Sequence, residues 1–128
     1  MNWKVVLLAV AVALLGGCRT APIYNVNDAA VVVAAGKQAS MDGVKSAILS
    51  AGNLLGWQMT DTAPGVITAR IELRTHTATA EVKYSAKSYS IRYLDSTNLQ
   101  AADGNIHKNY NGWIENLDRE IRTKLLQS

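Results

Sequence analysis

The sequence predicts a two-layer α+β domain. Two helices cover one face of a four-stranded antiparallel meander, in the order α-β-β-β-β-α. Three observations carry this. Apolar residues recur at three- and four-residue spacing at both ends of the segment 39–128. Between those ends, apolar and polar residues alternate with period two. Turn-forming residues separate the alternating stretches.

Ser40 is the N-cap expected for the first helix. Met41, Val44, Ile48, Ala51 and Leu55 then recur on one face. Gly52 and Gly56 stand near its end, where glycine commonly stops a helix. Trp57-Gln58-Met59-Thr60 alternates as a short strand, and Pro64-Gly65 is a turn signal.

Three further strands follow. Ile67, Ala69, Ile71 and Leu73 share one face; Ala78, Ala80, Val82 and Tyr84 share the next; Tyr89, Ile91 and Tyr93 share the last. Alternation this regular implies a sheet buried on one side and wet on the other, which favours antiparallel pairing. A two-residue loop at Thr75-His76 sets Ile71 opposite Ala80, and one at Ala86-Lys87 sets Val82 opposite Ile91. Together these registers place Arg70, Glu81 and Arg92 in one row across the wet face, a candidate contact surface flanked by Arg74 and Lys83.

The final helix is expected from the stripe Ile106, Tyr110, Trp113, Ile114, Leu117, Ile121 and Leu125. Asp103-Gly104-Asn105 supplies turn and capping chemistry ahead of it. Glu115–Arg119, Asp118–Arg122 and Glu120–Lys124 each put an acid four residues before a base, the favourable orientation.

Ahead of this domain, Lys4 precedes an apolar run from Val5 to Leu15, followed by Gly16, Gly17 and Cys18. The run holds 11 residues. That is too few for a membrane span, which needs about 20, and enough for an export signal. The pattern resembles the signal peptide of a bacterial lipoprotein, which implies cleavage between Gly17 and Cys18 and lipidation of Cys18. The expected organisation is a signal peptide over 1–17, a lipidated N-terminus and tether over 18–38, and a single domain over 39–128. Within the tether, Ile23-Tyr24-Asn25-Val26 and Val31-Val32-Val33 could each add an extended edge to the domain. Cys18 is the only cysteine, so no internal disulfide forms and no CxxC exists for a metal or redox site. Two or more acyl chains anchor stably where one does not. Arg19 follows the cysteine. The lipoprotein resemblance implies that aspartate there would retain the protein at the inner membrane, so arginine favours the periplasmic face of the outer membrane.

Charge narrows the partners. The chain carries a formal net charge of +3. Loss of Lys4 with the leader leaves +3 − 1 = +2. No basic run can neutralise several phosphates, which argues against nucleic acid. The expected partners are the membrane, through covalent lipid, and an envelope protein or peptidoglycan.

Two stretches carry a second resemblance. The first is Tyr89-Ser90-Ile91-Arg92-Tyr93-Leu94-Asp95-Ser96-Thr97-Asn98-Leu99. The second is Ile106-His107-Lys108-Asn109-Tyr110-Asn111-Gly112-Trp113-Ile114, running on to Leu117. They resemble Y-x-x-x-Y-x-D-S-x-N-L and I-H-x-x-Y-N-x-W-x-x-x-L of a family of small proteobacterial lipoproteins of unknown function. Gly56-Trp57 also fits. The resemblance implies the domain type, and no activity, cofactor or catalytic residue. Leu99-Gln100-Ala101 departs from the family pattern, which has an aromatic residue after the leucine.

Tyr93, Asp95, Ser96, Asn98, His107, Tyr110, Asn111 and Trp113 would meet where the last strand hands over to the last helix. They form either a ligand site or a structural corner, since Asp, Ser and Asn also shape turns through side-chain-to-backbone bonds. A ligand site, for a cell-wall fragment or lipid, would need an open concavity lined by Tyr89, Tyr93 and Trp113. Ser96, His107 and Asp95 suggest a hydrolase, but no G-x-S-x-G elbow is present. His76 and His107 stand far apart with no H-x-x-x-H or acid cluster, so no metal site is expected. The expected protein is not an enzyme, uses no cofactor and acts as a protein-interaction module.

Overall fold

The computed structural model describes residues 19–128. The expected leader and the lipid-accepting Cys18 lie outside the described residues. The fold is α+β, with a five-stranded antiparallel sheet and two helices.

In chain order the elements are β1 (Thr20–Pro22), β2 (Val26–Ala30), α1 (Met41–Leu54), β3 (Gln58–Ala63), β4 (Val66–Leu73), β5 (His76–Tyr84), β6 (Ser88–Thr97), β7 (Asn105–His107) and α2 (Lys108–Gln127). The strands expected as a meander, β3 to β6, are consecutive neighbours. A fifth strand, β2, lies on the far side of β6, giving the order β2-β6-β5-β4-β3. A separate two-stranded ladder joins β1 to β7. The four-strand expectation is therefore corrected. Residues 20–30, whose composition suggests tether, pair along two edges of the fold.

Helix α1 starts at Ser40, whose hydroxyl accepts from the Gly43 amide at 3.0 Å. It ends in a Schellman turn. The Trp57 amide donates to the Gly52 carbonyl, the Gly56 amide donates to Asn53, and Gly56 takes φ +88°. Val44, Ala47, Ile48, Ala51 and Gly52 are buried. Met41 and Leu55, expected on that face, are exposed; they stand at the first residue and the cap, where they meet only the rim of the sheet.

The sheet buries one face as expected. Ile67, Ala69 and Ile71 join Ala78, Ala80, Val82 and Tyr84, then Tyr89 and Ile91, in one cluster with the buried residues of both helices. Leu73 is the exception and is exposed. Val82 lies opposite Ile91 and Glu81 opposite Arg92, as expected. The β4–β5 register differs by two residues. Ile71 faces Ala78, and Arg70 faces Thr79. The turn is Arg74-Thr75, with Arg74 at φ 58°. His76 and Thr75 are held by Asn98, which fixes the turn at that place.

Helix α2 buries Tyr110, Ile114, Leu117, Asp118, Ile121 and Leu125. Ile106 is buried in β7, one element earlier than expected. Asp103 and Gly104 both take positive φ in a two-residue turn closed by Ala102 and Asn105. They do not cap α2; His107 does. Asp118–Arg122 and Glu120–Lys124 pair as expected. Arg119 instead donates to Asn116 at 3.0 Å.

Gly52 packs under Met59 of β3. A Cβ added there would lie 2.6 Å from Met59 Cγ. Alanine favours a helix over glycine by about 1 kcal/mol, but overpacking costs about 1–3 kcal/mol. Gly52→Ala should lose stability in urea unfolding, and adding Met59→Ala should recover part of that loss, giving a non-additive cycle. A Gly52→Ala protein more stable than the parent would contradict this packing.

Candidate functional site

The corner between β6 and α2 rests on a β-bulge. Ala80 faces Tyr93 while Thr79 faces Asp95, so Leu94 is the extra residue. On a regular strand, residues three apart point to opposite faces. The bulge instead sets Tyr93 opposite Ala80 and Ser96 opposite Ala78, two buried alanines. The Tyr93 and Ser96 hydroxyls then meet at 2.8 Å. Asp95 stays exposed opposite Thr79 and takes no part in the corner.

The remaining polar corner residues, Asn98, His107 and Asn111, bond to the backbone or to a turn side chain. Asn98, at φ 62°, donates to Thr75 Oγ1 at 2.9 Å, and its carbonyl accepts from His76 Nδ1 at 2.8 Å. His107 Nδ1 accepts from the Asn109 amide at 3.1 Å, capping α2. Asn111 holds the N-terminal segment. Its Oδ1 accepts from the Tyr24 amide and its Nδ2 donates to the Pro22 carbonyl, both at 2.9 Å. Asn25 completes the seam by accepting from the Tyr93 amide at 2.9 Å. The serine and histidine that suggest a hydrolase thus each have another partner.

Tyr110 is buried against Tyr93, edge to face, with ring centroids 5.4 Å apart. Its hydroxyl is buried without a hydrogen-bond partner among the described residues. Tyr89 is also buried, and its hydroxyl donates to Asp118 Oδ1 at 2.5 Å. Trp113 lies elsewhere, in a shallow groove with Leu55, Trp57, Ile71 and Leu73. The concavity expected from Tyr89, Tyr93 and Trp113 therefore does not form among the described residues.

Asp118 is the buried charged residue that periodicity misses, at 4 % exposure. One oxygen takes the Tyr89 hydroxyl and the other takes Arg122. The signal was present in sequence, since Asp118 sits between Leu117 and Ile121 on the apolar stripe. Burial first, and Asp118 second, push the Tyr89 hydroxyl well above its ordinary value of 10. Burial pushes Tyr110 the same way.

The outer face of the sheet is polar. Arg92 donates to Glu81 Oε1 at 3.2 Å, and Lys83 lies 3.8 Å from the same oxygen. Arg70, expected in that row, pairs with Glu72 at 2.7 Å because of the register difference. Thr68 takes its place opposite Glu81. Threonine pairs Thr62–Thr68 and Thr77–Thr97 bridge neighbouring positions at 2.7 and 2.5 Å. At the start of α1, a shallow depression of about 510 Å³ is lined by Met41, Lys45, Asp61, Pro64 and Tyr84. Lys45 and Asp61 pair across it at 2.5 Å, which raises the lysine above its ordinary value.

Comparison with known proteins finds no matching family model, no matching curated protein and no matching solved structure.

Two outcomes are expected. Folded Tyr89 and Tyr110 keep protons that the unfolded chain releases above about pH 10. Stability present below that pH therefore falls as pH rises through it. Tyr110→Phe removes an unpartnered hydroxyl, so it should hold or raise stability, by up to about 1 kcal/mol, and flatten the alkaline slope. Tyr89→Phe strips Asp118 of one partner and should cost about 1–3 kcal/mol at neutral pH. Thermal melting of both variants from pH 7 to 11 checks this; equal losses at pH 7 would contradict it. Separately, Asn111→Ala should cost about 1–2 kcal/mol and speed hydrogen exchange at the Tyr24 amide, with the centre of β5 unaffected.

Proposed function

We propose that this chain is a lipid-anchored envelope protein facing the periplasm, which works by binding another envelope component without catalysing a reaction. The observation that carries the reading is the order Lys4, apolar Val5–Leu15, Gly16-Gly17, Cys18, standing immediately before a fold whose first strand begins at Thr20. Cleavage before Cys18 leaves every described element intact. The lone cysteine supports it as well, because a thioether removes the one thiol that an oxidising compartment would expose to side reactions. Arg19 in place of aspartate favours the outer membrane, and the two family-like stretches fit the same class of small lipoproteins.

The binding role rests on how polar groups are used. Ser96, Asn98, His107 and Asn111 hold turns, a cap and the N-terminal segment. The outer sheet face carries exposed Lys83 and Arg92 paired with a largely covered Glu81, charges of both signs suited to a protein surface of complementary pattern or to peptidoglycan.

Metabolic labelling with a palmitate analogue tests the anchor. The native protein should take up label and sediment with membranes, and Cys18→Ala should lose both properties. Label that persists in Cys18→Ala, or a soluble native product that retains its leader and a free thiol, would refute the reading.

A further inference from the structure

We infer that one end of the domain lies directly on the bilayer, with Leu54, Leu55 and Leu73 as its membrane contacts; this rests on the proposed lipidation of Cys18. Two facts lead to it. The first is the length of the leash. Only Arg19 stands between Cys18 and the first residue of β1. Two residues of extended chain reach about 7 Å. A folded unit of this size has a radius of gyration of about 13 Å. The domain therefore cannot stand clear of the surface that holds its lipid, and the end nearest Thr20 must face that surface.

The second is what that end carries. Thr20 pairs with His107 at the start of α2. The His107 amide bonds to Leu99, just past β6, and Asn98 bonds to the β4–β5 turn. The start of α2 also meets the end of α1, since Trp113 shares a groove with Leu55, Trp57 and Leu73. Chain entry, the end of α1 and the β4–β5 turn thus gather at one end. There Leu54 is 63 % exposed, Leu73 44 % and Leu55 37 %. Arg19, Arg74 and Lys108 are exposed on the same elements, together with Glu72, Asp95, Asp103 and Glu115. That charge balance is nearly even, so the leash and the leucines decide. Exposed Val32, Met41 and Leu126 stand at the opposite end, where α1 begins and α2 finishes, and the leash turns them away from the membrane.

The two tryptophans that remain after the leader and Trp3 depart, Trp57 and Trp113, both line the groove at this end. They report the contact directly. The lipidated full-length mature protein would be reconstituted into phosphatidylethanolamine–phosphatidylglycerol vesicles, with and without brominated acyl chains. Brominated lipid should quench its tryptophan emission. Leu55→Asp/Leu73→Asp, and separately Leu54→Asp, should lose much of that quenching while staying membrane-bound and melting cooperatively. A twelve-residue Gly-Ser insert between Arg19 and Thr20, reaching about 20 Å, should lose it as well with the fold untouched. Leu126→Asp should retain it. Anchored native protein without quenching, or quenching indifferent to both the insert and the leucine variants, would overturn the inference. Shielding of the tryptophans from aqueous acrylamide in native envelopes, without quenching by brominated lipid, would assign this end to a protein partner and also overturn it. A Cys18 without palmitate would fail in the labelling experiment, separately from the optical one, and would remove both the anchor and the docked end.

Discussion

The main-chain pairing of residues 20–30 is the constraint on which the rest of the structure depends. Three residues ladder with β7 and five more cover the outer edge of β6. Without β2, β6 would be an open edge offering unpaired amides and carbonyls to any passing strand. Asn25 and Asn111 secure the segment from both sides, one toward β6 and one from α2. The segment therefore references the strand, the turn at Asp103-Gly104 and the last helix to a single line of chain. It also removes the slack that a free tether over these residues would supply, since the first described strand begins at Thr20.

A second constraint lies in the core. Asp118 brings a carboxylate into a largely apolar interface between β6 and α2, where one oxygen takes Tyr89 and the other Arg122. Such an arrangement contributes little net stability relative to apolar packing, while removing one partner is costly. Its effect is geometric. A hydrogen bond from a strand tyrosine to a helix carboxylate fixes the rotation of α2, which aliphatic contacts alone would leave looser. That rotation in turn points Asn111 at Pro22 and Tyr24. The core pair and the N-terminal seam are thus one connected system.

Legibility in the sequence follows from which groups do the bonding. Val44, Ile48 and Ala51 in α1, Ala78, Ala80 and Val82 in β5, and Ile114, Leu117, Ile121 and Leu125 in α2 are selected by side-chain burial, so their spacing reveals helix or strand. Strands β1 and β2 hold by main-chain bonds and two asparagines, and Thr-Ala-Pro or Val-Asn-Asp-Ala-Ala carries no alternation to betray them. The β4–β5 register turns on a left-handed arginine at position 74, a residue with no special preference for that conformation. The bulge at Leu94 is equally silent, yet it alone brings Tyr93 and Ser96 to one face. At the corner, residue types were legible and their roles were not: asparagine and histidine look alike in sequence whether they grip a ligand or cap a helix.

The consequence for recognition runs through that difference. Ser96, Asn98, His107 and Asn111 spend their polar atoms within the chain itself, so on the proposed reading binding would fall to surfaces. The outer face of β4–β6 is broad and polar, with Thr68, Glu81 and Arg92 in one row. A flat face without a concavity encloses little of a small molecule, and burial is what small-molecule affinity needs. Against another macromolecule the same face has alternating charge, which sets orientation and encounter rate more than affinity. Weak contacts of this kind suffice when both partners are confined to one surface, because tethering raises the effective concentration of each for the other. The proposed short leash would sharpen this further. By fixing which end meets the bilayer, it would hold the sheet face at a constant height and angle, so that a modest patch of mixed charge meets its partner already oriented.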